Sequence, residues 1–304
     1  MTPELLSLQG RQSLEFSKAK KAWLRSLILQ GIVVALGVPA IFWNTGNTAG
    51  TDPNWPSFVL LVLALAATIT ATLFMGRSRG HRDVAERARR LLLTSSGLGL
   101  EASPKLVADI SAALSASDSE GQKRQNTDYF TATAFQPGHQ RLLAYLQESC
   151  FFSSRNFATC AKWAQIVFWA VSGLIICMLV VAGLLEQRNV AFNVSQVLVV
   201  LLTGVVALDL WGLYRGYSEA ARLEAQLDER IEGLLLTVTQ APNTAINTLD
   251  MLMLIEDHNA AVQGAPLIFD GVYMSSLQKL NQEWNARVAH RNKAAGSGPA
   301  SPVA

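Results

Sequence analysis

Charge is what this chain has least of. Asp, Glu, Lys and Arg make up 16% of its 304 residues, against about 25% in an ordinary soluble domain. Cysteine is scarce too: Cys150, Cys160 and Cys177 form no C-x-x-C pair, which excludes a disulfide-dense scaffold and a zinc ribbon. The histidines, His81, His139, His258 and His290, fall into neither H-E-x-x-H nor H-x-x-x-H and pair with no cysteine along the sequence. A metal site is therefore not expected. There is no glycine-rich phosphate loop and no G-x-S-x-G. The run Glu256-Asp257-His258 reads as a solvated helix face, because adjacent helical residues point in different directions. These absences predict no enzyme and no cofactor. A net charge of only +2 argues against general nucleic-acid binding.

What is plentiful is apolar. Half the residues are hydrophobic, mean hydropathy is +0.24, and the apolar residues gather in four blocks at about 26–43, 57–75, 163–185 and 190–214. Each block is about 18 to 25 residues long, enough at ~1.5 Å per residue to cross a hydrocarbon core of ~30 Å. The predicted fold class is an all-α integral membrane protein with four transmembrane helices in two hairpins and a cytoplasmic helical domain built from the middle and C-terminal segments. In chain order these are an N-terminal helix (1–23), hairpin one (24–76), a helical segment (77–161), hairpin two (162–215), a helical segment (216–292) and a disordered tail (293–304). The multiply charged lead-in and the absence of a small-x-small site exclude a cleaved signal peptide for the first block.

Basic residues set the orientation. Arg11, Lys18, Lys20, Lys21 and Arg25 precede the first block, and Arg77, Arg79, Arg82, Arg87, Arg89 and Arg90 follow the second, while the loop "NTGNTAGTDPNW" carries neither Lys nor Arg. Lys162 precedes the third block and Arg215 follows the fourth. Both termini and the middle segment are predicted to be cytoplasmic. Trp23, Trp43, Trp55, Trp163 and Trp211, with Arg77, Arg79, Lys162 and Arg215, are expected to anchor the spans at the two interfaces.

The cytoplasmic segments read as helices. Val84, Ala88, Leu91 and Leu92 form one stripe, so the second span either continues inward or restarts after Gly80. Ser103 and Pro104 open a helix with Leu106, Ile110 and Leu114 on one side. Polar residues 116–129 read as a surface loop. Leu223, Leu227, Ile231 and Leu234 form a coiled-coil-like seam, and Leu277, Leu280, Trp284 and Val288 an apolar face on the last helix.

Ionisable and polar residues inside the spans are the natural candidates for a pore or gate. Asp209 is the one carboxylate within a block. It either pairs with Arg25, Lys162 or a polar neighbour, or lines a pore mouth. Asn193, Gln196 and Thr203 share one face of the fourth span, and Thr68 and Thr72 lie one turn apart on the second. Four helices of one chain cannot enclose a water-filled pore, so conduction would require an oligomer. Beyond the headgroups, Arg82, Arg89 and Arg90 need partners that lipid cannot supply, since attraction to the surface is screened over ~8 Å. Those partners are either intrachain acids such as Glu219, Glu224, Asp228 and Glu229, or a phosphorylated ligand.

Three stretches, "RQSLEFSKAKK", "DYFTATAFQPGHQRLLAYLQESCFFSS" and "VQGAPLIFDGVYMSSLQKLNQEW", resemble the bacterial S-4TM family of pore-forming effectors, and the order of soluble and membrane parts is similar across nearly the whole chain. The resemblance implies a multi-pass protein of the bacterial inner membrane that acts in anti-phage defence and abortive infection. It also implies a homo-oligomer whose cytoplasmic helices respond to a cyclic nucleotide or oligonucleotide and whose spans then breach the bilayer. The family offers no ligand residues to carry over. From charge, aromatic content and side, the nominated ligand contacts are Arg82, Arg89, Arg90, Lys123, Arg124, Arg141 and Tyr129, with Tyr273 or Trp284 to stack on a base. The alternative is a constitutive four-span channel, transporter subunit or scaffold with no nucleotide trigger.

Overall fold

The structure of the chain, a computed structural model, describes residues 3–46, 55–115, 118–123, 135–184, 204, 209–240 and 246–296. Within them it forms eight helices and no strand: α1 (Pro3–Gly46), α2 (Trp55–Leu98), α3 (Pro104–Ala113), α4 (Asp118–Gln122), α5 (His139–Leu184), α6 (Leu210–Gln240), α7 (Thr248–Gly264) and α8 (Asp270–Gly296). Gly80 does not break α2, because a single glycine weakens a helix by only about 1 kcal/mol and its neighbours continue the backbone ladder. Residues 293–296 of the expected tail belong to α8, which runs to Gly296, and the rest of that tail lies outside the described residues.

Two compact units divide the chain: a first of Met1–Phe16, Asp83–Ala161 and Arg215–Ala304, and a second of Ser17–Arg82 and Lys162–Tyr214. The first unit has an ordinary hydrophobic core. Leu93 of α2, Leu142, Leu143, Tyr145, Leu146 and Cys150 of α5, Leu227, Ile231 and Leu235 of α6, and Met251, Leu254 and Ile255 of α7 pack in one cluster. Each fully buried aliphatic side chain there contributes about 1.5–3 kcal/mol. Of the Leu223 to Leu234 seam, Leu227 and Ile231 are buried and Leu234 packs against the same cluster, so this stripe meets α5 and α7 of its own chain. A second cluster joins Leu8, Ala88, Leu91, Leu92, Ile110 and Leu114, as the stripes on α2 and α3 require, although Leu106 stays exposed.

Local chemistry fixes the turns of this unit. Gly99 ends α2 with a positive φ of 70°, and its N–H donates to Ser95 O at 2.9 Å. That left-handed residue suits glycine. Gly97 is required for a different reason, since a Cβ there would lie 2.9 Å from Leu142 Cα and force the start of α5 away. Pro104 does open α3, but the Ser103 hydroxyl makes no capping bond, whereas the Asn247 side chain caps α7 by accepting from Leu249 N–H at 3.0 Å.

The second unit is organised differently. Ser26 Oγ donates to Ala71 O at 2.9 Å and Ser78 Oγ to Ala19 O at 2.8 Å. Position rises on one helix as it falls on the other, so α1 and α2 run antiparallel here. Ala19, Ala22, Ala71, Ser26 and Ser78 are all buried, and small residues are what let two helix backbones come this close. Much of the other apolar surface of the described residues is exposed. Phe58, Leu61, Leu65, Ile69 and Leu73 on α2, and Ile166, Trp169 and Ile176 on α5, are exposed.

Two helices among the described residues are long and apolar enough to cross a membrane, within Phe58–Leu98 and His139–Cys177, and only 6% and 11% of their apolar windows are buried. The predicted span 26–43 falls in α1, whose side chains are described to residue 36, and most of the predicted span 190–214 lies outside the described residues. One part of that fourth span is corrected. The helix does not run unbroken to Tyr214, because Asp209 adopts a φ of +43° and begins α6 as its cap, its Oδ1 accepting from Gly212 N–H at 3.0 Å.

Candidate functional site

The most unusual chemistry of the first unit is a polar knot inside its core. α5 supplies Cys150, α6 Glu224 and α7 His258, and all three side chains are 0% exposed. Glu224 and Asp228 lie on the face of α6 that also carries Leu227 and Ile231, so burying that face carries carboxylates inward with the apolar groups. His258 follows from Leu254 at one-turn spacing on the core side of α7. Glu256 and Asp257 are exposed as expected of a solvated face, but His258 is not, which corrects the reading of the three as one surface run.

Geometry assigns the protons. Arg89 Nη1 lies 2.7 Å from His258 Nε2, and a guanidinium has only donors to offer, so Nε2 must be the acceptor. The imidazole proton therefore sits on Nδ1, 3.0 Å from Glu224 Oε2 and 3.5 Å from Cys150 Sγ. Arg89 is held in turn by Glu86, at 2.8 Å from Nε, and by Asn259 Oδ1 at 3.4 Å. Burial first, and then the charge of Glu224, push the Cys150 thiol well above its usual range. Since Nδ1 already carries a proton and the thiol is buried, this arrangement does not make Cys150 a nucleophile. It does gather three donor atoms of metal-binding type within 4.8 Å of one another. The sequence reading expected no metal site because no histidine neighbours a cysteine. The fold overturns that reason by bringing together residues 108 positions apart.

A second polar group ties α5 and α6 to α8. Arg287 of α8 donates to Asp228 at 2.6 Å and also bonds Glu232, while Arg291 donates to Gln147 Oε1 at 2.7 Å. Burial raises the Asp228 carboxyl despite Arg287, and lowers Arg291 with help from the Arg287 charge. Trp284 packs against Phe151 and Phe152 at 5.3 and 6.4 Å between ring centroids and is 2% exposed, so it belongs to the core and does not present a face to a base. Tyr273 is exposed at 38%.

Among the described residues, the nominated ligand contacts differ in their surroundings. Arg89 is consumed by the polar knot. Arg90 is half-buried with its Nε unpaired, and Arg82, in the other unit, is half-buried and already engaged. Arg141 donates to its own helix neighbour Tyr145 at 2.7 Å, and Lys123 is exposed in the turn after α4. Arg124 and Tyr129 lie outside the described residues, as do Asn193, Gln196 and Thr203. Of the acids proposed as partners for the distal arginines, Glu219 pairs with Arg222, Glu224 with His258 and Asp228 with Arg287, while Glu229 is exposed. Of the nominated pore residues, Thr68 and Thr72 bond their hydroxyls back to Ala64 O and Thr68 O at 2.9 and 3.0 Å, and Asp209 is a helix cap. Among the anchors, Trp55, Trp163, Trp211, Arg77, Arg79, Lys162 and Arg215 are exposed, and the Trp43 side chain lies outside the described ones. Trp23 differs from the expected exposed anchor: it is buried, at 7% exposure.

The class that this architecture defines is an all-helical protein with two helices fit to cross a membrane. No family model, no curated protein and no solved structure matches the chain.

Proposed function

We propose that this chain is a multi-pass membrane effector of the S-4TM type, whose helical domain, on the cytoplasmic side, responds to a trigger and whose spans then assemble with those of other copies to breach the bilayer. One observation carries the membrane part. The apolar faces of α2 and α5 are uncovered over lengths suited to a hydrocarbon core, and that much exposed apolar surface is unfavourable in water at about 25 cal/mol per Å². Thr68, Thr70 and Thr72 satisfy their hydroxyls on the carbonyl four residues back, as a lipid-facing helix requires.

The effector part rests on the resemblance of the three stretches quoted above and on helix continuity. α1, α2, α5 and α6 each carry residues of both units on one backbone hydrogen-bond ladder. A displacement at the polar end of such a helix is transmitted along it, provided that the trigger binds the two states with different affinity. A cyclic nucleotide or oligonucleotide is the proposed trigger, and the inner membrane the proposed location.

The test is expression in bacteria with and without a nucleotide-producing enzyme. Growth arrest with entry of a membrane-impermeant dye only under co-expression supports the reading. Membrane insertion without any permeability change under any trigger would reject the effector function and leave a scaffold.

A further inference from the structure

We propose that Cys150, Glu224 and His258 bind a divalent transition-metal ion of the zinc class, held between α5, α6 and α7. The proposal does not depend on the effector reading.

Three observations carry it. The first is chemical type: a thiol, an imidazole and a carboxylate are the donor set that zinc takes, and here they are the only side chains of the core that converge in this way among the described residues. The second is spacing. Tetrahedral bonds of about 2.3 Å to sulfur and about 2.0–2.1 Å to nitrogen and oxygen put S and N about 3.5 Å apart and N and O about 3.4 Å apart. Cys150 Sγ and His258 Nδ1 are 3.5 Å apart, and Nδ1 and Glu224 Oε2 are 3.0 Å apart. Small side-chain shifts open the latter to a metal edge.

The third is charge. Glu224 is 0% exposed, and its second oxygen, Oε1, has no hydrogen-bond partner. With a neutral imidazole and a thiol, Arg89, Glu86 and Glu224 leave the knot with one uncompensated negative charge, an arrangement that burial penalises strongly. A divalent ion placed between the three side chains compensates that charge and gives Glu224 Oε1 a partner. The Cys150 S–H bond breaks and its proton leaves to solvent, a metal–sulfur bond forms, and the imidazole proton moves from Nδ1 to Nε2. Arg89 withdraws from Nε2 while keeping Glu86 and Asn259. Two carboxylates and a thiolate then balance Arg89 and the ion. Cys150, His258 and Glu224 supply three donors, which leaves the ion a fourth position for a water, as three-ligand zinc sites do.

The test uses the full chain, purified in detergent and stripped with a chelator, in a Cys160→Ala, Cys177→Ala background so that Cys150 is its one thiol. Titration with cobalt(II) should give a near-ultraviolet thiolate-to-cobalt band that saturates at one ion per chain and is displaced by zinc. Zinc should also raise the thermal midpoint. Glu224→Gln and His258→Gln should each weaken binding by more than about tenfold, with helix content by circular dichroism checking that they fold. Absence of the sulfur band at stoichiometric cobalt overturns the proposal whatever the variants do, and so does one-to-one binding that survives both substitutions in folded protein.

Discussion

At the scale of single residues, the buried polar groups are where this chain is most sensitive. Tyr217 is fully buried, and its hydroxyl donates to Leu267 O at 2.6 Å, a bond that ties α6 to the segment before α8. Tyr217→Phe keeps the ring and strands the carbonyl, so a loss of about 1–3 kcal/mol is expected in denaturant unfolding of the detergent-solubilised chain. Asp228 behaves differently. Burial raises its pKa above 3.8 despite the adjacent Arg287, so the folded chain holds this proton more tightly than the unfolded chain. Its contribution to stability is therefore fullest below the unfolded value and is lost as pH rises through the folded one. Thermal midpoints of the wild type should gain on those of Asp228→Asn as pH falls from about 7 to about 4. A constant difference across that range would show that the carboxyl is not perturbed. None of this was legible beforehand, because a lone His258 or Cys150 in a sequence carries no sign of which helices will bury it or what will face it.

At the scale of elements, the legible parts were those with long, strong periodicity. The stripe on α2, Ile110 and Leu114 of α3, and Leu280, Trp284 and Val288 of α8 appear in the cores that their spacing implies, while Leu106 stays exposed. The α6 stripe was also correctly placed at Leu227 and Ile231, but periodicity does not say whether a stripe meets its own chain or another copy, and here it meets α5 and α7. Leu254→Ala, which removes a fully buried member of that cluster, should cost about 2–5 kcal/mol in the same unfolding assay. The lipid-facing side of α2 calls for a different measurement. Leu65 is exposed near the middle of the second apolar block. Leu65→Lys should oppose insertion by about 2.5–3.5 kcal/mol, with a fall in the carbonate-resistant fraction, because a charge at mid-span has no partner in lipid. An unchanged fraction would mean that this face does not meet hydrocarbon.

At the scale of the whole molecule, the topology is the testable quantity. Single cysteines placed at Asn47 and Arg87 in a background without native thiols should react with an impermeant maleimide from opposite sides, Asn47 from outside and Arg87 only after the cell is opened. Labelling of both from one side would refute the hairpin. The pairing of α1 with α2 bears on what a breach of the bilayer can look like. Their serine hydroxyls clasp each other's main chain at two levels, with buried alanines beside them, so over residues 19–26 and 71–78 the two helices are held at close range. On the proposed function, a change that parts α1 from α2 would have to break both clasps, so the two rods are expected to shift together as a single stave.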